Sequence, residues 1–190
     1  MSPQPLSISS DRRPARRPPK VRFIPLRPEH RAAYLDAFER LSPESRLQRF
    51  FCAKPKLSQS ELDYLLSPDG LTHVALAVLR LGPRGYEPVG VARFVELPNE
   101  PGTVEVAITI LDAFQGMGLG TLALRRLLRT ARELGHSRLV AQVMPHNIAM
   151  LRLFQRLLPG AELRRSSGEI EVRADLPLLA DERVPPRLAA

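Results

Sequence analysis

Cysteine is almost missing from this chain: its 190 residues hold one, Cys52. An internal disulfide is therefore excluded, and Cys52, without a His/Asn context, reads as a buried structural thiol. Histidine is nearly as scarce. His30, His73, His136 and His146 show no paired ligand spacing, so no metal centre of Cys/His type is expected. No apolar run approaches the roughly 18 residues of a membrane span, and the N-terminus lacks the apolar stretch of a signal peptide. A cytoplasmic protein with no membrane partner is the expectation. Lysine is rare too, at 3 residues against 25 arginines. We read that imbalance as compositional bias.

What is present is a globular balance, 44% hydrophobic and 25% charged. A chain of this length suits one domain with its own core. The formal charge of +8 is concentrated at one end. Residues 1–30 carry seven basic residues against Asp11 and Glu29, which leaves an excess of only +3 on the other 160. RRPARRPPK at 12–20 is broken by proline and cannot form a helix. Residues 1–20 thus read as a disordered basic leader, and nucleic acid is not the expected partner. The domain is expected over 21–176, followed by a tail over 177–190.

VRFIPL (21–26) reads as an edge strand, because Pro25 lacks a ladder donor. Pro28 suits a first helical turn ahead of EHRAAYLDAFERL, Ser42-Pro43 restarts a helix, and Ser58 with Glu61 forms a capping box. HVALAVLR, VGVARFVEL and TVEVAITIL, joined by Gly/Pro-rich turns, predict an antiparallel meander. Leu119, Leu122, Ala123, Leu127, Ala131 and Leu134 then mark one face of a helix that Gly135 ends. A strand (SRLVAQVM), a helix (147–158) and two short strands complete the order. The fold class is a mixed α/β sheet of about seven strands with four or five helices.

The chemistry sits in VEVAITILDAFQGMGLG, Val104 to Gly120. A β-branched strand enters a loop with Gly116, Gly118 and Gly120, and the loop enters a helix. Glycine permits positive φ and close backbone approach, and the first helical turn leaves N–H groups without intrahelical partners. With the helix dipole they form a phosphate cradle that needs no side-chain cation. A P-loop is excluded because Thr121, not lysine, follows Gly120. A dinucleotide motif is excluded by the two-by-two glycine spacing within a meander.

Gln115-Gly116-Met117-Gly118-Leu119-Gly120 resembles the Gln/Arg-x-x-Gly-x-Gly/Ala motif of the GNAT (Gcn5-related N-acetyltransferase) superfamily. Asn147, at the start of the next helix, resembles that superfamily's second cofactor motif, and the likeness runs from about Val21 to Leu176. RPEHRAAYLDAFERLSPESRLQRFF further resembles the bacterial protein lysine acetyltransferases that modify acyl-CoA synthetases. The resemblance implies acetyl-CoA as co-substrate, held by Gln115 to Thr121 together with Asn147 and Phe154. It implies a primary amine as acceptor, such as a protein lysine on an acyl-CoA synthetase. It also implies that the amides of the Ile108–Ile110 stretch lie free beside a splayed strand, and that Glu105 is the general base.

Glu105 is an odd residue for a strand otherwise built of Val and Ile. An apolar cleft would raise its pKa towards neutrality, whereas plain strand alternation would turn it to solvent with Thr109. Phe154 occupies the place where many members of the superfamily have a proton-donating tyrosine, and a phenyl ring donates nothing. His146 reads as a solvated histidine. Two rival functions fit the same motifs: acetylation of a small amine, and acyl-CoA binding without catalysis.

Overall fold

The computed structural model describes residues 19–166 and 168–176. Most of the expected leader and all of the expected tail lie outside the described residues. The strands are β1 (Val21–Pro25), β2 (His73–Gly82), β3 (Gly85–Glu96), β4 (Thr103–Ile110), β5 (Arg138–Val143), β6 (Glu162–Ser166) and β7 (Glu169–Asp175). The helices are α1 (Arg31–Glu39), α2 (Pro43–Phe50), α3 (Gln59–Leu66), α4 (Leu119–Glu133) and α5 (Ile148–Leu157). Short 3₁₀ turns precede α1 (Pro28–His30) and follow β4 (Asp112–Phe114).

The helix starts follow from local chemistry. The Ser42 hydroxyl accepts from the Ser45 N–H with Pro43 in the first turn. Ser58 and Glu61 close a reciprocal capping box. Each satisfies amide donors that a helix start leaves unpaired.

One seven-stranded sheet runs in the order β1-β2-β3-β4-β5-β7-β6. The expected meander is there: β2–β3 and β3–β4 are antiparallel, and β1 is an edge strand. Only β4 and β5 are parallel, which requires a crossover, and α4 supplies it.

Apolar layers cover both faces. Val104, Val106, Ile108 and Ile110 of β4 pack with Ala123, Leu124 and Leu127 of α4 and with Leu153 and Phe154 of α5. On the other face, Leu62 and Leu66 of α3 cover Ala75 and Ala77, while Phe38 and Leu41 form a separate cluster with Leu111.

Two expectations about packing are corrected. Leu124 and Leu128 lie in the buried stripe of α4, Leu122 is half-buried, and Leu134, beyond the last helical turn, is exposed. Cys52 is exposed, because α2 ends at Phe51 in a left-handed conformation and the chain turns outward.

Candidate functional site

The site begins where a strand pair stops. β4 and β5 are in register at only three positions, Thr103–Arg138, Val104–Leu139 and Glu105–Val140. Beyond Glu105 the strands part. Leu111 N–H donates to the Val89 carbonyl at 2.9 Å, so its N–H faces β3. N–H direction alternates along a strand, so the amides of Ile108 and Ile110 face the opposite edge, where β5 has diverged. The Gln115 side chain donates to the Ile110 carbonyl on that edge at 3.0 Å. The Ile108–Ile110 stretch thus lies along the part of the β4 edge that β5 does not pair with.

A cleft of about 400 Å³ fills the gap. Of the expected residues, Glu105, Ile108, Ile110, Gln115, Gly116, Gly118, Leu119, Gly120, Thr121, Asn147 and Phe154 line it. Met117 does not, and its side chain is among the exposed ones.

At one end of the cleft is the glycine loop. Gly116 and Gly118 take φ of 72° and 80°, a region that side chains with a Cβ rarely adopt, and a Cβ on either would meet open space. The Gly118 carbonyl accepts from the N–H groups of Thr121 and Leu122 at 3.1 and 3.2 Å. Among the described residues the N–H groups from Gly116 to Gly120 have no backbone partner outside regular elements. Amides without backbone partners at a helix start that borders a cleft suit a phosphate-bearing ligand.

The cleft also contains residues that the motifs did not flag. Arg156 of α5 donates to the Thr121 hydroxyl at 2.6 Å, which holds a guanidinium beside the cradle. Arg49 of α2 lines the opposite side. The Asp112 carboxylate accepts from the Ser42 N–H at 3.0 Å and from the Ser42 and Ser45 hydroxyls at 2.8 Å each. Burial alone would raise the Asp112 pKa, but these hydrogen bonds outweigh it and hold the value below the usual one. The network ties the start of α2 to the segment that launches the loop. The Ser42 cap was readable in the sequence. Its partner Asp112, 70 residues away, was not.

Glu105 is exposed at the fork, and no hydrogen bond or ion pair engages it among the described residues. Glu105, Ala107 and Thr109 share one face with the buried Thr103, and the buried Val104, Val106, Ile108 and Ile110 share the other, so Glu105 both lines the cleft and reaches solvent. The Asn147 side chain caps α5, accepting from Met150 N–H at 3.1 Å. That bond uses its oxygen and leaves the amide NH₂ available. Phe154 is fully buried in the core and also forms part of the cleft floor. His146 is half exposed, with Glu44 at 3.7 Å.

An acetyltransferase (GNAT) domain profile matches residues 20–157. The chain belongs to the GNAT acetyltransferase family. It is 32% identical over 130 residues to the acetyltransferase PA5475 of Pseudomonas aeruginosa, covering 68% of this chain and 69% of that one. It is 32% identical over 143 residues to the acetyltransferase Pat of Mycolicibacterium smegmatis, covering 74% of this chain and 39% of Pat. The chain thus spans about two-fifths of Pat's length. The GNAT domain of S. lividans PAT superposes with a TM-score of 0.73 at 27% identity, covering 82% of this chain and 90% of that domain.

This GNAT chain is accordingly an acetyl-CoA-dependent N-acetyltransferase, and the mixed sheet is the fold of its relatives. Among the described residues no helix is long and apolar enough to cross a membrane. Nor does any group of three or more His, Cys, Asp and Glu residues there suit a metal ion.

Proposed function

We propose that this acetyltransferase acetylates the side-chain amine of a protein lysine, with Glu105 as general base. The observation that carries the reading is the end of β4–β5 pairing at Glu105, which places an unengaged carboxylate at the fork of an open cleft.

Acetyl-CoA supplies the acetyl group as an activated thioester. The free amides of residues 116–120 and the Arg156 guanidinium suit its phosphates, and the Asn147 amide faces the cleft beside them. A lysine ammonium, with a pKa near 10.4, must lose a proton before it can attack. Glu105 takes that proton directly or through one water. The Ile108 and Ile110 amides hold the negative charge that develops on the carbonyl oxygen. Phe154 donates no proton, so the thiolate departs without help from that position. The modest pKa of a thiol, about 8.5, permits this.

Two observations favour a lysine on a protein. The likeness to Pat and to the S. lividans PAT domain is one. The other is the exposure of Glu105, which a long side chain can reach from solvent. A polyamine fits less well, because Glu105 is the only acidic residue among those lining the cleft.

The test is acetyl transfer to lysine peptides and to small amines, with Glu105→Gln alongside wild type. We expect Glu105→Gln to bind acetyl-CoA normally and to lose about 10²-fold in kcat/KM. An unchanged rate removes Glu105 from the mechanism. A small amine preferred over every peptide overturns the lysine assignment.

A further inference from the structure

A second cavity, of about 210 Å³, lies between α1–α2 and the sheet face that carries Glu105, Ala107 and Thr109. Leu26 of one apolar cluster and Phe38, Leu41 and Leu111 of another line it. Its lining is mostly apolar and contains no Asp or Glu. Ala107, Thr109 and Arg49 line both this cavity and the acetyl-CoA cleft, so the two spaces adjoin.

Two guanidiniums line it as well. Arg93 of β3 stands opposite Ala107 in the β3–β4 register and is only 4% exposed. Its terminal nitrogens donate to His73 Nε2 and to the Leu65 carbonyl at 2.6 Å each. Its Nε has no partner, and no carboxylate pairs with it among the described residues. A buried charge ordinarily has an ionic partner, because desolvation is otherwise uncompensated. Burial holds the Arg93 pKa down at about 10; Tyr34 and Tyr64 beside the guanidinium oppose that shift, and the charge of Arg49, on the α2 side, adds to it. Two cations therefore converge on an apolar space that supplies no anion.

We propose that this cavity is the acceptor subsite for a carboxylate carried on an apolar body, taken up between Arg93 and Arg49 while the amine to be acetylated lies towards Glu105. The subsite rests on the acetyltransferase reading of the neighbouring cleft. One residue along β4 on the same face, from Ala107 to Glu105, is a step of about 7 Å, so the acceptor's two groups need only a short spacing. The carboxylate has two sources: a free amino acid, or an acidic side chain next to a protein lysine.

Titration calorimetry without acetyl-CoA tests the subsite. One arm compares leucine with leucinamide. The other compares a lysine peptide carrying an adjacent glutamate with its glutamine counterpart. In at least one arm the acid is expected to bind tenfold or more tightly than its amide, and that arm identifies the source. Arg93→Met is expected to abolish the difference. Because Arg93 also holds the last turn of α3, Arg49→Gln provides a second variant that leaves α3 intact and is expected to weaken the preference. Equal binding of acid and amide in both arms overturns the proposal, as does a preference that survives both variants. Acetyl-CoA is titrated separately into wild type: failure there defeats the cofactor reading, whereas normal binding with no acid preference defeats only the subsite.

Discussion

Gly118→Ala separates the cradle's role in binding from its role in folding. Gly118 is left-handed, with φ of 80°, and a Cβ added there meets nothing within 4 Å. The cost in the free protein is therefore conformational rather than steric. Forcing alanine into that region costs about 1–2 kcal/mol, and the loss of unfolded-chain entropy returns about 0.4–1 kcal/mol. A net loss of roughly 1 kcal/mol lowers Tm by about 2–4 °C in a chain of this size. Gly135, at the far end of α4, is the matched control: it too is left-handed, at 92°, with open space around a new Cβ, and it lies away from the cleft. Both variants should melt alike. Gly118 lines the cleft and Gly135 does not, so only Gly118→Ala adds a methyl on the ligand's side of the loop. Holding a phosphate off one amide loses a charge-assisted hydrogen bond worth about 1.5–3 kcal/mol, or roughly ten- to a hundredfold in the Kd of acetyl-CoA. Calorimetric titration and thermal melts of both variants provide the measurement. If the two bind acetyl-CoA equally, the cradle assignment is refuted.

Gly90→Ala should be far more damaging, since its Cβ would stand 2.4 Å from the Thr109 carbonyl and 2.6 Å from Ile110 Cδ1; a stability loss of about 1–3 kcal/mol or more is expected in urea titrations. Asp112→Asn weakens the tie between α2 and the glycine loop, with a stability loss of about 1 kcal/mol at pH 7 and a raised KM for acetyl-CoA. Because hydrogen bonding holds the Asp112 pKa below 3.8, its stabilising contribution is present above that pH and lost as pH falls through the folded value. His73 acts in a different window. Burial, then the Arg93 charge, lowers its pKa from 6.5, so the unfolded chain takes up a proton that the folded chain refuses. Stability should fall as pH drops below 6.5, by at most about 1.4 kcal/mol per unit, and His73→Gln should flatten that slope.

The parts of the site that repeat a local rule were legible in the sequence. Ser42, Ser58 and Gly135 mark helix ends by short-range chemistry, and each sits where that chemistry requires. The loop from Gln115 to Gly120 was readable for the same reason, since strand, glycines and helix are contiguous. Contacts set by distant segments were not. Asp112 meets Ser45 across 67 positions, Arg156 meets Thr121 across 35, and Arg93 meets Leu65 across 28. No periodicity encodes those pairs. Glu105 shows the limit from the other side. Its strand was clear, but its exposure depends on how far along that face the helices cover the sheet, and that is a tertiary outcome.

One topological change accounts for both halves of the cleft. An antiparallel meander pairs each interior strand along both of its edges. The switch to parallel at β4–β5 demands a crossover helix, and α4 begins close to where β4 ends. The start of α4 and the open edge of β4 therefore face the same space, as ligand sites do at strand ends in open α/β sheets. Leu119, Leu153 and Phe154 pack beneath that space, where continued pairing of β4 with β5 would otherwise close it. An open helix start and a stretch of strand edge without a partner thus come with the architecture itself. The side chains that reach the same space are Glu105 at the fork, Arg156 beside the start of α4, and Arg49 and Arg93 around the adjoining cavity. Substitutions at Arg49 and Arg93 should alter the choice of acceptor, and those at Glu105 and Arg156 the rate and the hold on acetyl-CoA, with the sheet left intact; at Arg93 the last turn of α3 depends on the same guanidinium.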